Sequence, residues 1–226
     1  MHGANIAGAN KNAPYWDTKT QADWQRARDD WGFNAARLLV VWAAVEPQRG
    51  VYDDAFLDAV ATRVEWAAKA NMLVVLDMHE DVYGEGFGFD GAPRWTCDES
   101  HYAHFKPIEP WFLNSLDADV TACVDGFWRS DDLHAHYKEA WRRLGARLAG
   151  YDNVVGFDAI NEPYWGSVNI LDFEQTELQP FYEELVPATR SSPTSPASPP
   201  KRTVSPRRSG SGNTAAPAAR PASPST

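Results

Sequence analysis

Short, nearly unbroken apolar runs alternate with stretches of 3.6-residue period over the first 186 residues. Met1–Ala7 reads as the inside of a strand and its following loop. Phe33–Trp42 is a β-rich run with one charge inside it, Arg37. Met72–Met78 is the next buried strand, ending at His79. Val154–Ile160 is the fourth, and it delivers Asn161 and Glu162 to its C-terminal tip. Pro163 stops that strand, because proline lacks an N–H and fixes φ. Between the strands lie amphipathic segments. The first opens at Asp17-Thr18, with Thr18 and Gln21 at capping-box spacing, and runs through Ala22, Trp24, Ala27, Arg28 and Trp31 to Gly32. Asp53 or Asp54 caps the second, whose apolar face is Phe56, Leu57, Val60, Val64 and Ala67 or Ala68. Asp131 or Asp132 caps the third, which carries Leu133, Tyr137, Ala140, Trp141, Leu144 and Leu148 up to Gly150. Asp172–Leu185 is a fourth helix. Residues 80 to about 130 read as a long aromatic insertion of weak periodicity, the kind of loop that is usually functional.

The order is therefore strand and helix, four times. Near-continuous apolar strands fit a parallel sheet buried on both faces. Strand starts fall roughly 35 residues apart where no long loop intervenes, the size of a βα unit. The expected fold is α/β, an incomplete (β/α)8 TIM barrel made of about its first four βα units. A doubly wound sheet is the alternative, weakened because no glycine-rich phosphate turn follows the first strand.

Composition changes the picture at one end. All 31 acidic residues precede Pro187, whereas six of the 21 Lys and Arg follow it. The body thus sets 15 basic against 31 acidic residues, a net of −16 within a chain total of −10. Residues 187–226 are Pro, Ser, Ala, Thr and Arg with almost no large apolar side chain, and are expected to be disordered. Such a tail is either a linker or the product of a shifted reading frame. Four strands alone leave two open edges, which invites self-association. The negative charge argues against nucleic acid as a partner. No apolar run is long enough for a membrane span, and no signal peptide is visible. Cys97 and Cys123 either pair or stay as thiols. His101 and His104 lie in a loop-like region, and His134 and His136 point to different sides of the third helix. With no Cys/His cluster at zinc spacing, neither a metal nor a cofactor is expected.

Arg37, His79, Asn161 and Glu162 share one property. Each sits in, or at the C-terminal end of, an expected barrel strand, and in such a barrel these ends point to one mouth. A carboxylic acid beside an amide at that mouth is suited to donating a proton to a sugar. Ten Trp, eight Tyr and ten Phe supply amphipathic surface against which sugar rings can stack.

The set Arg37, Asp77-Met78-His79 and Asn161-Glu162-Pro163 resembles glycoside hydrolase family 5, the cellulase family. Asp77-Met-His-Glu-Asp81-Val-Tyr83, Gly91-Ala-Pro93-Arg-Trp95, Ala13-Pro14-Tyr15 and Asp125-Gly-Phe-Trp128 are similar to its endoglycoceramidase-like branch. Glu80 departs from that pattern, where Gln is expected. The resemblance covers residues 1 to about 186.

It implies a retaining hydrolase in which two carboxylates, about 5 Å apart, act on a β-glycosidic bond of a polysaccharide or glycolipid. Carried over, Glu162 is the acid/base, its pKa raised by burial, and Asn161 binds the sugar 2-hydroxyl. Arg37 orients the nucleophile and His79 binds a sugar hydroxyl. Asp81, Trp95 and Trp165 are candidate subsite contacts. The family takes its nucleophile from the seventh strand, which this chain lacks. Glu174, Glu177, Glu183 and Glu184 lie on an outer helix and cannot replace it. The chain as written is therefore expected to be inactive. The alternatives are a carbohydrate-binding protein without catalysis and a self-associating half barrel. The resemblance suggests an extracellular protein.

Overall fold

The computed structural model describes residues 1–6, 11–15 and 17–190. Four strands, β1 (Gly3–Ile6), β2 (Ala35–Val41), β3 (Leu73–His79) and β4 (Val154–Asp158), form one sheet in the order β1-β2-β3-β4. Every pairing is parallel. A register shift at Val74/Val75 sets Gly156 beside Val75 and Asp158 beside Asp77. With period-2 alternation, Arg37, Val75, Asp77 and Asp158 share one face, the inner one. This is the partial TIM barrel that the patterning predicts.

Helices cover the outer face. α1 (Gln21–Asp29) has its cap two residues later than expected. Thr20, not Thr18, is the N-cap, and its N–H donates to the Asp23 carboxylate at 2.8 Å. Trp24 and Ala27 are buried on α1, but Trp31 lies beyond the helix and is exposed. The short α2 (Trp42–Val45) continues directly from β2. α3 (Asp54–Lys69) is capped by Asp53, whose carboxylate accepts the Phe56 N–H at 2.9 Å.

The segment from 80 to 130 is more ordered than expected. It holds 3₁₀ turns at Glu85–Phe87 and Arg94–Thr96, then α4 (Glu99–His104), a third 3₁₀ turn at Trp111–Leu116 and α5 (Ala118–Trp128). Asp117 caps α5, and Cys97 is disulfide-bonded to Cys123 on that helix. The bond fixes the insertion to a helix that packs on the barrel wall.

α6 (Asp131–Leu148) buries the six apolar residues expected of it. Its cap is Ser130, which accepts the Leu133 N–H at 3.1 Å, while Asp131 and Asp132 occupy the first turn and complement the helix dipole there. After β4 come α7 (Ile170–Phe173), a π-helical turn at Glu174–Leu178 and α8 (Gln179–Arg190). α8 passes through Pro187 and crosses the expected boundary at 186, since proline removes a backbone bond without ending a helix already in its last turn. The rest of the expected tail, residues 191–226, lies outside the described residues.

Candidate active site

The tip of β4 is held from two sides. Tyr137 Oη and Trp141 Nε1 on α6 both donate to the Ala159 carbonyl, at 2.8 and 3.0 Å. The Asn161 N–H donates to the Met78 carbonyl at 3.0 Å, extending the pairing with β3 past the strand end. Glu162 follows with φ 44°, a left-handed conformation that a non-glycine side chain adopts at a cost. That turn, before Pro163, aims the carboxylate out of the strand end.

Arg37 organises the inner wall. Its Nε and Nη2 donate to Asp158 Oδ2 at 3.0 and 2.7 Å, and Nη2 also donates to Asn161 Oδ1 at 2.8 Å. Nη2 lies 2.9 Å from Asp77 Oδ1 as an ion pair. Asp77 is fully buried; burial raises its pKa, while His79 and Arg37 pull it back. Asn161 is buried, and its Nδ2 donates to the Glu80 carbonyl at 2.9 Å. His79 Nδ1 stands 2.8 Å from Asp77 Oδ2, and its Nε2 lies 3.9 Å from Asp81 Oδ1. Asn161, Arg37, Asp77, His79 and Asp81 thus form one continuous chain of contacts.

A hollow of about 340 Å³ opens beside this chain. Glu80, Asp81, Glu162 and Trp165 line it, with Trp111, Phe112 and Leu116 as an exposed apolar ledge. Six of the seven residues singled out by sequence therefore meet at one mouth. Trp95 does not join them. Its Nε1 donates to the Glu46 carbonyl at 3.1 Å, and its ring packs edge-on against Trp42 and His136. Glu162 also differs from expectation, being exposed rather than buried, because none of the described residues covers that side of the mouth.

Several polar residues of the site were not anticipated. Lys11 pairs with Asp81 Oδ2 at 2.5 Å, and Tyr15 Oη donates to Glu85 Oε1 at 2.5 Å. Asp90 is buried, and burial together with the facing Asp81 carboxylate pushes its pKa up to about 7. Glu80 is pushed well up by desolvation and by Asp90, Asp81 and Asp77. Of the histidines passed over as metal ligands, His101 faces Asp119 at 2.8 Å and His136 faces the buried Glu46 at 2.6 Å. Among the described residues, His79, Asp81 and Asp90 are instead the trio whose ligand atoms come together, within 4.8 Å of one another.

The model of the cellulase family, glycosyl hydrolase family 5, matches residues 1–195. This chain belongs to glycoside hydrolase family 5. Among family members, it is 31% identical over 208 residues to endoglycoceramidase I of Rhodococcus hoagii, covering 87% of this chain and 41% of that protein. Endoglycoceramidase II from a Rhodococcus species, solved with a cellobiose-like imidazole, superposes with a TM-score of 0.78 at 36% identity. That superposition covers 84% of this chain and 46% of the solved one. The same enzyme has been solved in complex with the ganglioside GM3. A glucosylceramidase of Rhizopus delemar is 25% identical over 175 residues, covering 62% of this chain and 26% of that protein. The chain thus spans less than half the length of these relatives.

Proposed function

We propose that these residues are the acid/base-bearing part of a retaining β-glycosidase that acts on glycolipids. The observation that carries this reading is Glu162, turned out of the β4 tip beside a buried Asn161 that Arg37 and the Glu80 carbonyl hold on either side. In this role Glu162 protonates the leaving oxygen and later takes a proton from the incoming water. Asn161 retains an amide hydrogen for the sugar 2-hydroxyl. His79 and Asp81 reach further along the mouth toward sugar hydroxyls, and Trp165 offers an edge of the hollow for stacking. The ganglioside complex of the Rhodococcus relative supports a glycolipid over a polysaccharide.

Catalysis needs a second carboxylate about 5 Å from the first. On the inner wall Asp77 and Asp158 are both engaged by Arg37, and the acidic residues of the 174–184 segment lie on the outer layer. The 226 residues alone are therefore proposed to be inactive, with Arg37 becoming available to a nucleophile only when one is supplied. The Cys97–Cys123 bond favours an oxidising compartment, so export is part of the proposal. Each edge strand, β1 and β4, has one partner among the described residues, which leaves room for self-association.

The test is a fusion of residues 1–186 to the C-terminal half of the Rhodococcus hoagii endoglycoceramidase, assayed on a β-glycoside with a fluorescent leaving group. The fusion should release sugar, and Glu162→Gln should lower kcat by about a thousandfold. The unfused chain should release none. Release by the unfused chain, abolished by Glu162→Gln, would refute its inactivity. A fusion indifferent to Glu162→Gln would remove Glu162 from its role.

A further inference from the structure

The junction of α5, α6 and α8 encloses a histidine that takes no part in the mouth. His134, early in α6, meets Phe181 of α8 at 4.9 Å and Phe127 and Trp128 of α5 at 5.1 and 6.4 Å between ring centroids, edge-on or tilted in each case. One hydrogen bond ties the imidazole to the Phe127 backbone. Its Nε2 is buried and has no hydrogen-bond partner among the described residues. The site suits a neutral imidazole acting as an aromatic filler. A second proton would place an N–H and a full charge there with no acceptor to meet them. The charged groups facing the ring do not offset this. Asp131 of α6 and Glu184 of α8 favour the cation, but Lys138 of α6 opposes it and pairs with Glu184 at 2.8 Å. Burial prevails and holds the His134 pKa below the ordinary histidine value.

What the ring supports is α8. Phe181 and Leu185, each 1% exposed, are the buried anchors of that helix. Phe181 also packs edge-on against Trp128 at 5.6 Å, and Trp128 Nε1 donates to the Tyr164 carbonyl at 2.8 Å. Tyr164 lines the hollow. We propose that His134 is an acid-sensitive latch, which holds α8 on α5 and α6 while neutral and releases it when protonated. On release the imidazolium reaches water, Phe181 leaves Trp128, and the Tyr164 edge of the hollow loses its backing. An exposed histidine takes its proton near pH 6.5 and the docked ring only at lower pH, so docking weakens as pH falls below about 6.5. Buried carboxylates give the opposite slope, so Asp77, Glu80 and Asp90 cannot imitate this one. The latch is a property of the fold and does not depend on the hydrolase reading.

Hydrogen exchange of the purified 226-residue chain, corrected for the intrinsic rate at each pH, tests it. Between about pH 7.5 and pH 5 the amides of residues 181–186 should lose protection at least about threefold, while those of α3 keep theirs. His134→Phe fills the aromatic box and cannot titrate, so it should abolish the loss. His104→Gln, exposed on α4, should leave the loss as it is. If His134→Phe does not fold, an NMR titration of the His134 ring in the unaltered chain decides, since protonation and release must share one midpoint. Protection that stays constant or rises in acid, as it would if the ring faces held the imidazolium, overturns the proposal. So does a release that persists in His134→Phe, or one that follows carboxylate protonation near about pH 4.

Discussion

Arg37 and Asp90 stand at opposite ends of one acidic wall. Around Arg37 a single guanidinium serves Asp77, Asp158 and Asn161 at 2.7 to 3.0 Å. Around Asp90, two buried carboxylate oxygens and a histidine nitrogen have no hydrogen-bond partner among the described residues. The difference follows from how each end is built. β2, β3 and β4 set Arg37, Asp77 and Asp158 on one inner face by register alone, so charge partners meet wherever the strands pair. Asp90 comes from the loop after β3, which its own backbone fixes. Asp81 N–H donates to the Asp90 carbonyl at 2.9 Å, and Ala92 N–H to the Tyr83 carbonyl at 2.7 Å. Gly91, at φ 132°, has the Tyr83 carbonyl oxygen 2.5 Å from where a Cβ would sit. A loop held this tightly cannot swing Asp90 out to water. Strand register supplies a finished ion network, whereas the loop supplies a preorganised set of acceptors.

The largest effect should come from breaking the finished end. Arg37→Met leaves Asp77, which is fully buried, without its cation. Removing one partner of a buried pair costs about 3–5 kcal/mol, and the lower end applies here because Asp158 keeps access to water. Urea unfolding should show the loss as a lower midpoint. Adding Asp77→Asn to Arg37→Met should recover part of it, because no buried charge is then stranded. If the double variant is no more stable than the single one, the Asp77 charge is not what Arg37 compensates.

The unfinished end makes a prediction in pH. In the folded chain Asp90 keeps its proton up to about pH 7, whereas an unfolded aspartate releases it near pH 4. Between those values the folded state binds more protons, so stability falls as pH rises. The penalty is absent below about pH 4 and complete above about pH 7, and amounts to a few kcal/mol. Asp90→Asn carries no charge and should flatten that slope when unfolding is followed from pH 4 to 8. Asp77 and Glu80, also shifted upward, leave a residual slope of the same sign. An unchanged profile in Asp90→Asn would mean the proton is held elsewhere.

The same contrast explains what could be read from sequence. On α6 the apolar face from Leu133 to Leu148 is a local repeat, and all six residues are buried there. Arg37, His79 and Asn161 were legible because strand ends in a barrel converge, whatever the loops do. α5 was missed although Val120, Cys123, Val124, Phe127 and Trp128 repeat at helical spacing, because Gly126 and the crowded aromatics resemble a loop. Lys11 and Asp90 reach the mouth only through tertiary packing, and no periodicity marks them. Trp95 was misplaced for a related reason. A tryptophan in an aromatic loop looks like a sugar platform, but here its N–H serves the Glu46 carbonyl and its ring closes over Trp42.

The smallest expected effect concerns the support beneath Glu162. Tyr137 Oη and Trp141 Nε1 share the Ala159 carbonyl, two of the contacts that fix where β4 ends. Tyr137 is buried and its pKa is raised well above the ordinary phenol range, with desolvation the main cause, so it is a neutral donor. Tyr137→Phe keeps the packing with Trp42 and Phe127 and removes only the hydroxyl. The carbonyl retains Trp141, so no acceptor is stranded, and the loss should be about 1 kcal/mol. In the fused enzyme this change should lower kcat by less than tenfold and leave its pH profile unshifted, because Glu162 is displaced without being recharged. A Tyr137→Phe loss as large as that of Arg37→Met would place the decisive support of the mouth on α6 instead of the strand register.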